Sequence, residues 1–108
     1  MSEMDSKTQL GRNNLFSNNE KVMIIQRQPF MDCALDVITN FASFKRIILK
    51  AKGDDIPTAV AVTNMVTETM MKDNSEVVDI TVDSENAAGK YGMTLISTIQ
   101  ITIAKKII

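Results

Sequence analysis

The sequence contains no histidine and no tryptophan, a single cysteine, one tyrosine, two prolines and four glycines in 108 residues. The missing histidine removes the usual general base and the commonest zinc ligand, and one thiol cannot form an internal disulfide. Cys33 has no imidazole to activate it and reads as a small buried apolar residue rather than a nucleophile. Asp54 and Asp55 stand side by side, but no third oxygen-rich group accompanies them, so helix capping is favoured over metal binding or acid-base work. An enzyme, a metal site and a bound cofactor are therefore not expected, and neither is a small-molecule substrate. Apolar runs stay far short of a membrane span, and Glu3, Asp5 and Lys7 occupy the region where a secretory leader needs hydrophobic residues, which points to an intracellular protein without a membrane partner.

Hydrophobic residues make up 44% of the chain, enough for one small packed domain. A polar, Asn- and Ser-rich segment over residues 1–20 reads as a flexible tail, and residues 21–108 as the domain. The net charge is −1, so bulk attraction to a polyanion is absent and the distribution of charge decides. Six basic residues fall between Lys21 and Lys52, whereas the segment from Asp54 to Glu85 is acidic.

Lys21–Gln26 is a short apolar run of strand length, closed by Arg27-Gln28-Pro29. Pro29 fits the first turn of a helix reaching about Asn40 or Ala42, with Met31, Leu35, Ile38 and Ala42 as its apolar stripe. A second strand, Lys45–Ala51, then follows, parallel to the first because a helix separates them. Gly53 allows the chain to turn, Asp54 or Asp55 can cap the next amides, and Pro57 opens a helix from Ile56 to about Lys72. That segment is rich in β-branched residues but too long for an ordinary strand. Val78, Ile80 and Val82 alternate with Asp79, Thr81 and Asp83 as a half-buried strand, residues 84–92 read as a loop, and Met93–Ile103 as the last strand, with Leu95, Ser97, Ile99, Ile101 and Ile103 on one side. The expected class is α+β, a two-layer βαβαββ sandwich with a four-stranded mixed sheet, two covering helices and a long hairpin between the third and fourth strands.

Three strings within this order resemble the Alba family of archaeal chromatin proteins that bind DNA and RNA: IIQRQPFMDCALDVI from Ile24, LKAKGDDIPTAV from Leu49, and STIQITIAKK from Ser97. The resemblance runs from about Lys21 to Lys106. It implies a homodimer, or a heterodimer with a paralogue, acting in the cytoplasm on the nucleoid and contacting the phosphate backbone of double-stranded DNA or RNA with little sequence preference. Two copies double the number of phosphates neutralised, which sets affinity and its salt dependence. Position by position, the resemblance assigns nucleic-acid contact to Arg27 and Gln28 before the proline, Lys52 before the glycine, and Lys90 in the hairpin loop, with Lys50 on the same strand face as Lys52. Met70 corresponds to the contact between neighbouring dimers, although Met31, Met65 and Met70 all sit where core packing is the first explanation. Tyr91 is first of all a turn residue that could stack on a base.

The departures from the family pattern are specific. Gln28 replaces a lysine, Arg27 replaces the lysine at which acetylation is expected, so that switch is absent, and Asp54 stands where a second arginine follows the glycine. Two alternatives follow from these losses: an RNA-binding or RNA-processing subunit with weak DNA affinity, and an assembly module that pairs with a more basic paralogue.

Overall fold

A computed structural model describes residues 19–106; the tail read over residues 1–20 falls, apart from its last two positions, outside the described residues. Six main elements follow in the order β1 (Glu20–Ile24), α1 (Phe30–Asn40), β2 (Arg46–Lys52), α2 (Ile56–Met65), β3 (Ser75–Gly89) and β4 (Gly92–Lys105). They form one four-stranded sheet in the order β1-β2-β4-β3. β1 and β2 are parallel, as the intervening helix requires, and β2–β4 and β3–β4 are antiparallel. The fold is α+β, two helices on a mixed sheet, as expected.

Strand periodicity divides the sheet into two faces. Ile47, Leu49 and Ala51 of β2 lie opposite Ile103, Ile101 and Ile99 of β4 on the helix side, and most of these side chains are buried. They pack with Cys33, Ala34, Val37 and Phe41 of the first helical segment and with Ala59, Val62 and Val66 of the second. Arg46, Lys50 and Lys52 alternate with them and project from the opposite face.

Several expectations change. The buried stripe of α1 is Cys33, Ala34 and Val37, continued by Phe41, while Leu35 (49% exposed) and Met31 (41%) of the expected stripe face outward, and Ile38 is partly buried. Pro29 is the residue before the helix rather than a member of its first turn, whereas Pro57 does lie in the first turn of α2. The second helix is regular only to Met65, and Val66–Met70 widens into a π-type turn in which the Met71 N–H reaches the Val66 carbonyl at 2.7 Å. Two threonine hydroxyls in this stretch back-bond to the preceding turn, Thr63 to the Ala59 carbonyl and Thr67 to that of Thr63, both at 2.8 Å, which satisfies them without leaving the helix.

The largest change concerns the hairpin. Residues 84–89 are not a loop: they continue β3, and the chain reverses over Lys90-Tyr91 alone, with Gly89 opposite Gly92. Gly92 has φ +116°, a conformation that disfavours any residue with a Cβ, so a two-residue connection closes the arm. A bulge between Val77 and Asp79 then puts Val77, Ile80 and Val82 opposite Ile103, Ile101 and Ile99, on the helix side. Ile80 is nevertheless 56% exposed and Val82 71%, so β3 is not the half-buried strand expected from its alternation. The helices cover the sheet only as far as β4.

Candidate nucleic-acid interface

The end of β1, the end of β2 and the outward face of the hairpin meet around one cleft of about 440 Å³, lined by Gln26, Lys50, Lys52, Asp55, Asp83 and Glu85 among others. Register explains the meeting. Lys50 lies opposite Gln100 and Lys52 opposite Thr98 on β4, while Thr81 and Asp83 of β3 lie opposite the same two β4 residues. The cleft is thus a row of cations on β2 and a row of acids on β3, about 10 Å apart across β4. Lys52 spans that gap, and its Nζ lies 2.8 Å from Glu85 Oε1. Arg46, farther down β2, pairs with Glu20 at 3.6 Å. Lys50 makes no ion pair among the described residues.

The loop after β1 is built by hydrogen bonds. The Ile25 N–H donates to the Lys50 carbonyl at 2.8 Å, carrying the parallel ladder one residue beyond β1. Arg27 then adopts φ +41°, an uncommon conformation for a residue with a side chain, and its N–H donates to Asp55 Oδ1 at 3.0 Å. Gln28 turns its carboxamide oxygen back to accept from the Cys33 thiol at 3.3 Å and from the Gln26 N–H at 3.5 Å. Its amide nitrogen remains the group that can serve a phosphate oxygen. Burial pushes the Cys33 thiol above its ordinary pKa, and the charges of Asp36 and Asp32 push it the same way, so the thiol form persists at neutral pH and Cys33 is a structural hydrogen-bond donor.

Asp55 therefore does not cap α2, which has no side-chain cap; it fastens the Arg27 loop to the start of the second helix. Replacing Asp55 with alanine should lower stability by about 0.5–1 kcal/mol, the worth of an exposed hydrogen bond, seen as a fall in melting temperature of about 2–8 °C. Asp55→Asn, which retains an acceptor, should recover most of it.

Arg27, Gln28, Lys50 and Lys52 are thus brought to one end of the sheet. Lys90 is separate: it sits at the arm's tip, past Gly89, and thus more than about 13 Å along the strand from where Glu85 meets Lys52. Its Nζ lies 5.7 Å from the ring centroid of Tyr91, which is 93% exposed. Met70 lies away from this surface in the π-type turn, partly buried against the core. Sequence reasoning missed Glu85 and Asp55 as members of the site. Strand parity extended through residues 84–89 would have put Glu85 on the face of Asp83, toward Lys52.

A two-layer α+β domain with a cationic strand end and a projecting hairpin arm defines the class. Residues 21–84 match the Alba family profile, and the chain belongs to the Alba family. It is 30% identical over 87 residues to the DNA/RNA-binding protein Alba of Thermoplasma volcanium, spanning 80% of this chain and 97% of that protein. It is 32% identical over 88 residues to DNA/RNA-binding protein Alba 1 of Archaeoglobus fulgidus, spanning 81% and 98% respectively. The solved structure of Alba from Thermoplasma volcanium superposes with a TM-score of 0.71 at 29% identity, covering 78% of this chain and 99% of that one. ALBA1 from Trypanosoma brucei shares the fold at 21% identity, with a TM-score of 0.53 over 82% of this chain and 69% of that one. Among the described residues no helix is long and apolar enough to cross a membrane.

Proposed function

We propose that this protein is a non-enzymatic, largely sequence-independent DNA- and RNA-binding protein that acts as a dimer. The observation that carries this reading is the grouping of Arg27, Gln28, Lys50 and Lys52 at one end of the sheet in a chain whose Alba relatives are named DNA/RNA-binding proteins. These side chains reach phosphate oxygens, and Lys90 carries a further contact on the arm. Phosphate contacts hold a protein in register on the backbone without reading bases, so little sequence preference follows. The dimer is supported by the uncovered apolar face of the hairpin, where Ile80, Val82, Met93 and Leu95 stand exposed on the helix side. Met70 is the proposed contact between neighbouring dimers, offered through the part of its side chain left open beside the core. The setting is the nucleoid.

The test is binding of duplex DNA and duplex RNA over a salt series. Log affinity should fall linearly with log salt, with a slope of about −0.9 per phosphate contacted. Equal affinity at every salt concentration, or no binding at low ionic strength, refutes the reading. Competition between the two nucleic acids separates a chromatin role from an RNA-binding one.

The row of acids on β3 favours a second reading, in which the protein pairs with a more basic paralogue and moderates its assembly. Mixed dimers on co-expression with such a paralogue would support it, and exclusive self-association would remove it.

A further inference from the structure

Lys52, the cation that the family pattern puts at the phosphate, is already engaged by a carboxylate of its own chain. The 2.8 Å contact from Lys52 Nζ to Glu85 Oε1 is a charge-assisted hydrogen bond, of the same kind and length that an ammonium makes to a phosphate oxygen. Glu85 reaches it because residues 84–89 are strand: outward alternation aims Asp83 and Glu85 across β4 into the cleft that holds Lys50 and Lys52. We infer that Glu85 is a built-in competitor of phosphate for Lys52 and thereby sets the protein's affinity for nucleic acid. This rests on the nucleic-acid reading above.

Physical consequences follow from the exposure of the pair. Both side chains are about half exposed, 62% for Lys52 and 49% for Glu85, so the pair is screened by salt and adds little to folding. It is weak enough for a dense polyanion to displace. Binding through Lys52 then exchanges one anionic partner for another instead of filling an empty cation, and the displaced Glu85 carboxylate stays beside the phosphates and repels them. Both effects lower affinity and flatten its salt dependence relative to a free lysine. Lys50 carries no such restraint among the described residues.

The experiment uses the full chain and its Glu85→Gln, Lys52→Ala and Lys52→Ala/Glu85→Gln variants, with Glu76→Gln as a charge-matched control. Glu76 projects from the same face of β3 but roughly 30 Å farther down the strand, well beyond the screening length of about 10 Å at 0.1 M salt, the lower end of the comparison with this control. Binding to a duplex DNA is followed by fluorescence anisotropy from low to physiological salt. Glu85→Gln should tighten binding about three- to tenfold at low salt and steepen the log-log slope by up to about 0.9 for each Lys52 released. Glu76→Gln should change affinity less than about twofold, and most of the gain from Glu85→Gln should vanish in the Lys52→Ala background. An equal gain from Glu76→Gln reduces the effect to net charge and overturns the inference, as does an equal gain with and without Lys52, or no gain. If those negative results come with salt-dependent binding by the wild type, only Glu85's role falls. If neither the wild type nor any variant binds, the nucleic-acid reading falls with it.

Discussion

Reversing two charges, Lys50→Glu with Lys52→Glu, should weaken binding to duplex DNA about a hundredfold at roughly 50–100 mM salt and lower the magnitude of the salt slope by about 1–2 for each subunit engaged, nearer 1 the more fully Glu85 holds Lys52 in the wild type. The two lysines alternate outward on β2 and line one cleft, so both face the same stretch of backbone. Each reversal removes a released counterion and puts a carboxylate where a phosphate would lie. The two singles should differ. Lys50→Ala should cost more affinity than Lys52→Ala, because Lys52 already spends part of its attraction on Glu85 and Lys50 has no such partner among the described residues. Folding should survive, since both side chains are exposed; the carboxylate introduced by Lys52→Glu would face Glu85 at a cost under about 1 kcal/mol. Equal affinity for the double variant and the wild type in a salt titration would move the interface off this end of the sheet.

Which features were legible from residues alone follows from how local their causes are. The apolar run Ile47–Leu49, the glycine after Lys52 and the alternation from Leu95 to Ile103 are short-range patterns, and the structure reproduces the strand, the turn and the shared face they predict, although only Ile101 and Ile103 of that face are fully buried and Leu95 stands exposed. The face of α1 was not legible. Cys33, Ala34, Val37 and Phe41 form one apolar stripe and Met31, Leu35, Ile38 and Ala42 another, and only packing against the sheet buries the first and leaves Leu35 out. The buried stripe runs from the small pair Cys33 and Ala34 to the larger Val37 and Phe41, all at most 2% exposed.

The hairpin misled for a different reason. Ser, Glu, Asn, Ala and Gly between residues 84 and 89 have loop composition, yet the facing strand supplies the hydrogen bonds that hold them extended. Their strand character is a property of β4. Glu85 and Asp55 were therefore invisible as site residues. Their partners, Lys52 and the Arg27 amide, lie 33 and 28 positions away, and pairing at that range depends on strand order. Even the acidic turn at Asp54-Asp55, read as a cap and, at Asp54, as a departure from the family's arginine, divides its roles: Asp54 is exposed, while Asp55 holds the loop that presents Arg27.

If the proposed dimer forms through the uncovered face of the arm, burying a charge there should convert it to monomers. Ile80 and Val82 lie on the helix side of β3, in line with core residues Ile101 and Ile99, but beyond the edge of both helices. An apolar face built to core register and left in solvent supports the proposed dimer, in which a two-fold axis would let each arm cover the other's overhang. Ile80→Asp with Val82→Asp leaves the monomer's own core untouched, so far-UV circular dichroism should not change. The dissociation constant of the dimer should rise at least about a hundredfold, because each carboxylate would have to be desolvated at the interface. Sedimentation should then report the 12.0 kDa chain in place of twice that mass. Nucleic-acid affinity should fall with it, by about 10²–10⁴, since two linked sets of phosphate contacts become independent ones. A variant that remains dimeric with unchanged dissociation constant would put the interface elsewhere, and the exposed Met31–Leu35 side of α1 would be the next apolar surface to test.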